Sequence, residues 1–95
     1  MSMTTPRTDQ FNKALNEILP PHAVILHNDE VHSMDFVINA LLKSVPEINA
    51  EMASMITLEA HNTGRAVVVV CPLETAEFYR DRLATFGLGA SIEKA

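Results

Sequence analysis

Apolar positions along the chain change rhythm, and each rhythm predicts an element. Ala23-Val24-Ile25-Leu26 is a continuous, partly β-branched run that reads as a buried strand. The polar residues His27-Asn28-Asp29-Glu30 end it in a turn. Ser33 stands as an N-cap, and Met34, Val37, Ile38, Leu41, Leu42 and Val45 then recur at helical spacing, giving a helix with one apolar face. Asp35 in its first turn suits the positive end of the helix dipole. Pro46 ends this helix and can serve as the first residue of the next, in which Ile48, Met52, Met55, Ile56 and Glu59 keep the period to about Asn62. Gly64 is placed to terminate it. Residues 66–71 (Ala-Val-Val-Val-Val-Cys) form the clearest strand, expected at the centre of the sheet. Pro72 opens a third helix with Leu73, Ala76, Tyr79, Leu83 and Phe86 inward, Gly87 ends it, and Leu88 to Ile92 reads as a last short strand.

The order strand, helix, helix, strand, helix, strand predicts an α+β fold: a single small domain with a three-stranded antiparallel sheet and three helices on one face. Met1 to Gln10 shows no apolar period, and Pro20-Pro21 stops any helix that precedes it. Residues 1–21 are therefore expected to be a flexible N-terminal extension, with one or two helical turns through Phe11, Leu15, Ile18 and Leu19. Residues 22–95 are expected to be the folded domain.

Composition narrows the function classes. Ninety-five residues allow one domain with a small core and little room for a deep active site, so a binding module is expected rather than an enzyme. The net charge is −5 with only seven Lys and Arg and no basic run, which argues against binding nucleic acid by phosphate neutralisation. A lone cysteine, Cys71, can form neither an internal disulfide nor a zinc site. No apolar run approaches the roughly 20 residues of a membrane span, and no signal-peptide pattern opens the chain, so a cytoplasmic protein is expected.

The densest polar cluster is His27-Asn28-Asp29-Glu30-Val31-His32, and His61-Asn62-Thr63 ends the second helix. If the first two helices pack as a hairpin on the sheet, the clusters meet. Two carboxylates, an Asn carbonyl and a neutral imidazole suit a small cation rich in N–H donors, such as a free α-amino group, which is largely charged at neutral pH. Plain turn chemistry explains Asn28 and Asp29 equally well at this level. A metal site lacks a recognised His/Cys spacing. A Ser33–His61–Asp29 triad lacks nucleophile-elbow glycines, and Ser33 is already explained as a cap. Cys71 at the end of an apolar strand reads as inert filling. Met34 can fill the core or line a pocket. No catalytic residue, metal or cofactor is expected.

Three stretches carry a resemblance: Leu26-His27-Asn28-Asp29 with Ser33-Met34-Asp35-Phe36-Val37-Ile38; residues 58–67 (Leu-Glu-Ala-His-Asn-Thr-Gly-Arg-Ala-Val); and Ala76-Glu77-Phe78-Tyr79 with Gly87-Leu88 and Ser91-Ile92-Glu93. Over residues 22–95 the chain resembles ClpS, the Clp protease adaptor and N-recognin, most of all its cyanobacterial and plastid branch. The resemblance implies a non-enzymatic adaptor. Such a protein binds substrates by a free N-terminal Leu, Phe, Tyr or Trp (an N-degron) and delivers them to a hexameric ClpA or ClpC unfoldase for degradation by ClpP. Carried over to matching positions, it implies Asn28, Glu30 and His61 as ligands of the α-amino group, with Asp29 between them. It implies a pocket of Met34, Val37, Thr57 and Ala60, with His32 at its rim. It implies unfoldase docking at Glu74 and, where some members have Lys, at Tyr79, and an N-terminal extension that engages the unfoldase. Glu30 stands where the family often has Asp, and Thr57 where it often has Met. The competing expectation is an α+β interaction domain that docks on a partner without reading a terminus.

Overall fold

The computed structural model describes residues 8–95. The part of the expected flexible extension in residues 1–7 lies outside them. The elements are α1 (Thr8–Ile18), β1 (Pro21–His27), α2 (Met34–Ser44), α3 (Ala50–Thr63), β2 (Arg65–Pro72), α4 (Leu73–Thr85) and β3 (Ala90–Lys94). The β-α-α-β-α-β order is as expected, and α2, α3 and α4 share one core on one face of a three-stranded antiparallel sheet. A fourth helix, α1, precedes it.

The sheet order is β2-β1-β3. The central strand is thus β1, and residues 66–71, expected at the centre, form an edge. Burial explains the exchange. Ala23, Val24, Ile25 and Leu26 are all buried, as a strand paired on both sides requires. In β2, by contrast, Val67 and Val70 are half exposed while Ala66, Val68 and Cys71 face inward. Between the pairs Val24–Val69 and Ile25–Val67, Val68 has no opposite number and forms a bulge. Val24 and Leu26 meet Leu41, Val45, Ile56 and Leu83 in the core.

Local chemistry sets the helix ends. The Ser33 hydroxyl accepts from the Phe36 N–H at 3.1 Å and caps α2. That helix stops at Ser44 because Val45, ahead of Pro46, is extended (φ −127°, ψ 94°). The next helix does not start at Pro46 as expected. It starts at Ala50, where the Asn49 side chain accepts from the Met52 N–H at 2.8 Å. Its inward face is Ala53, Ile56, Thr57 and Ala60, whereas Met52 and Met55 are exposed. This narrow, small face lets α3 lie close to the sheet. In α4, Ala76, Tyr79 and Leu83 are buried, but Leu73 is exposed, unlike the inward position expected for it. The last strand starts at Ala90, two residues later than expected, because Leu88 still bonds back to Leu83 O. No described helix is long and apolar enough to cross a membrane.

Candidate functional site

Three chain segments meet where β1 ends. The His27 N–H donates to Gly89 O and the Asn28 N–H to Gly64 O, each at 2.9 Å. The end of α3, the start of β3 and the loop after β1 therefore share one corner. His27 Nε2 bonds the Ser91 hydroxyl at 2.7 Å and ties β3 to it from the side. Gly64 (φ +96°) allows α3 to turn directly into β2 at this point.

Asp29 organises the loop. Its Oδ1 accepts from the N–H groups of Val31 (2.6 Å) and His32 (2.8 Å), and its Oδ2 meets His32 Nδ1 at 2.6 Å. The backbone N–H of His32 is the main reason the Asp29 carboxyl titrates below its usual range. Partial burial opposes the shift, and the His32 ring and the Val31 N–H add to it. Both Asp29 oxygens are thus engaged inside the loop. Asn28 Nδ2 donates to Glu30 Oε1 at 2.8 Å, a bond that uses neither the Asn28 amide oxygen nor the second Glu30 oxygen, both acceptors. Glu30 and His61 are exposed.

The pocket beneath this corner has one polar wall of Asn28, Asp29, His32 and His61, with His27 beside them. Its other wall is Leu26, Met34, Val37, Thr57 and Ala60. Eight of the nine residues expected for amine and side-chain binding therefore line one cavity, and the ninth, Glu30, is joined to it through its bond from Asn28. Leu26 and His27 were not anticipated as lining. The signal for Leu26 was present, since it is the last apolar residue before the polar loop. The volume is about 20 Å³, little more than one water-sized sphere, for which roughly 10–15 Å³ suffices. Thr57 donates its hydroxyl to Ala53 O at 2.8 Å, so this buried polar group is satisfied by its own helix.

The other sequence candidates fall elsewhere. Ser33 caps α2 and Asp29 is bound to His32, so no triad forms with His61. Among the described residues no group of three His, Cys, Asp or Glu side chains is placed to hold a metal ion. Burial pushes the Cys71 thiol up, reinforced by the charge of Glu47.

Glu74 and Tyr79 lie at the opposite end of β1. They border a groove of about 880 Å³ with Leu19, His22, Pro46 and Phe78. Tyr79 itself is buried and donates its hydroxyl to Glu47, while Phe78 is exposed under the Arg82 guanidinium, 5.5 Å from the ring centre. This groove is far larger than the pocket, and Glu74 is the one carboxylate among its lining residues.

Residues 17–91 match the family model described as ATP-dependent Clp protease adaptor protein ClpS. The chain is 47% identical over 81 residues to an ATP-dependent Clp protease adapter protein ClpS of Prochlorococcus marinus, covering 85% of this chain and 77% of that one. It is 39% identical over 92 residues to a chloroplastic Clp protease adapter of Arabidopsis thaliana, covering 95% of this chain and 58% of the longer plant protein. Its fold is similar to that of Agrobacterium tumefaciens ClpS2 bound to L-phenylalaninamide, with a TM-score of 0.72, 28% identity and coverage of 79% and 96% of the two chains.

Proposed function

The chain belongs to the ClpS family of Clp protease adaptors, and from that premise we propose that its small pocket holds the first residue of a protein bearing a free N-terminal Leu, Phe, Tyr or Trp. The observation that carries this reading is the convergence of Asn28 and His61 with an apolar wall of Met34, Val37, Thr57 and Ala60 in one cavity. An α-amino group has a pKa of about 7.7–8.0, so it enters as an ammonium with three donors. A desolvated ammonium needs acceptors and opposite charge. Asn28 Oδ1 and a neutral His61 ring nitrogen supply the acceptors, and Glu30, steered by Asn28, supplies the charge. Asp29 shapes the loop from below. The relative bound to phenylalaninamide carries a ligand with both parts of this pattern, an amine and a bulky apolar side chain.

The apolar wall supplies affinity. Burying a Leu or Phe side chain is worth roughly 1.5–3 kcal/mol. The cavity is too small for such a side chain as it stands, so Met34, unbranched and 40% exposed, moves aside to admit it. His32 closes the rim. An internal Leu lacks the ammonium and is passed over.

The captured protein is then delivered to a Clp unfoldase of the ClpC or ClpA type and degraded by ClpP, in the cytoplasm. For the docking surface we propose α4 at Glu74, with Tyr79 beneath it and residues 1–21 as the extension that engages the unfoldase. The chain itself performs no chemistry and needs no cofactor.

Fluorescence anisotropy with peptides that begin in Leu, Phe, Tyr, Trp or Ala tests the reading. The four bulky residues should bind at least about tenfold tighter than Ala, the lower bound of the burial energy. His61→Ala should weaken binding by about tenfold, the worth of one lost hydrogen bond to a charged group. Equal affinity for the Ala and Phe peptides would overturn the proposal.

A further inference from the structure

The contacts of His32 go beyond those of a rim residue. Its Nδ1 lies 2.6 Å from Asp29 Oδ2, and its own N–H donates to Asp29 Oδ1 at 2.8 Å. The two side chains are 27% and 11% exposed, so the pair is largely shielded from water. The ring stacks on Phe36 in the first turn of α2, with centroids 4.5 Å apart and planes within 15°. Phe36 in turn meets Phe86 edge-on at 6.3 Å. Gly87, at φ +79°, follows Phe86. A Cβ at Gly87 would stand 3.3 Å from His32 Cε1, so the ring fills the space that glycine leaves.

One side chain thus joins the loop after β1, the start of α2 and the end of α4. The loop between Asn28 and His32 has few other restraints. Asn28 is fixed by Gly64 O, and beyond it the Val31 and His32 N–H groups bond only to Asp29 among the described contacts. The position of Asn28 and Glu30 above the pocket depends on this clamp. The Asp29 charge is also committed to it, which leaves Glu30 as the carboxylate facing outward.

Resting on the amine-binding reading above, we propose that His32 is a positioning residue for that site: through Asp29 it holds the Asn28–Glu30 segment in the geometry that receives a free α-amino group. The hydrogen bond and the ring stack are separable. Phenylalanine at position 32 keeps the stack on Phe36 and loses the donor to Asp29. Asparagine, whose side-chain N–H₂ sits where Nδ1 does, keeps the donor and loses the stack.

The experiment measures Kd for a Phe-initiated peptide and its N-acetylated form with the wild-type chain, His32→Phe and His32→Asn, together with the thermal midpoint of each variant. His32→Phe should lose about tenfold or more in affinity for the free peptide, the worth of a hydrogen bond to a charged group. Its thermal midpoint should stay within a few degrees of wild type, because the core is untouched. His32→Asn should recover most of that affinity. Amide exchange at Val31 and His32 should speed up in the Phe variant and not in the Asn variant. Equal affinity in all three chains, or a Phe variant that binds better than the Asn variant, would overturn the proposal. So would a loss in the Phe variant that merely tracks its thermal midpoint. If the wild-type chain fails to prefer the free peptide over the acetylated one, the amine-binding reading itself fails, and the positioning role falls with it.

Discussion

At the scale of single residues, the Ser44 hydroxyl is the buried side-chain polar atom without a hydrogen-bond partner among the described residues. Tyr79 is the contrasting case. Burial, then its hydrogen bond to Glu47, pushes the phenol up to about 12 from an ordinary value of 10. A raised pKa means that the folded state favours the protonated phenol. The stability this contributes is complete below pH 10 and is lost as pH rises through about 12. Because Tyr79 is the chain's only tyrosine, phenolate absorbance reports it alone. The titration should show a midpoint near 12, and Tyr79→Phe should flatten the loss of stability above pH 10. A midpoint at 10 would contradict the buried bond. Sequence reading placed Tyr79 inward through its helical spacing, which holds. Its partner Glu47 was not legible, because a bond across 32 residues leaves no local pattern. The same applies to His32. Its rim position followed from the family resemblance, whereas its stack on Phe36 exists only once α2 has docked.

At the scale of elements, what the sequence made legible was local, and what it hid was pairing. The α2 helix, its Ser33 cap and its apolar face were readable, because all three lie within a dozen residues. The run at 66–71 was correctly a strand. Its place in the sheet depends on which neighbours β1 takes, and four consecutive valines read as a centre although the strand pairs with β1 alone and exposes Val67 and Val70. At α3, Pro46 looked like a helix start because proline suits that position, but the side-chain cap of Asn49 decides the matter. The glycine turns provide a test. Gly64 and Gly87 both have positive φ. Alanine at Gly64 meets nothing within 4 Å, so Gly64→Ala should cost only the left-handed backbone penalty, about 1 kcal/mol. Gly87→Ala also pushes on the His32 ring at 3.3 Å, so it should cost more and should weaken peptide binding as well. Denaturant unfolding of the two variants measures the difference, and equal costs would contradict the packing of His32 against this turn.

At the scale of the whole molecule, the two cavities stand at opposite ends of the central strand. The pocket lies at the C-terminal end of β1, and the groove bordered by Glu74 lies at its N-terminal end. They are separated by the length of a seven-residue strand, or roughly 20 Å. Such a separation suits the proposed function, in which a substrate terminus is held at one end while the other is docked. The molecule measures 58 × 23 × 23 Å, and the apolar side chains of α1 (Phe11, Leu15 and Ile18) are exposed along it. The net charge of −5 argues against a partner bound by phosphate neutralisation. Its local meaning came only from the loop, where one carboxylate is committed to His32 and the other faces outward. That division was not legible in Asp29-Glu30 as written, because adjacent carboxylates look alike until backbone N–H groups select one. In the proposed function the pocket reads a charged terminus. The direct measurement is the affinity for one Leu-initiated peptide with its α-amino group free and with it acetylated. Acetylation removes the charge and two of three donors, so the free peptide should bind and acetylation should cost at least a hundredfold in affinity, or about 2.7 kcal/mol. Equal affinity for the two peptides would contradict it.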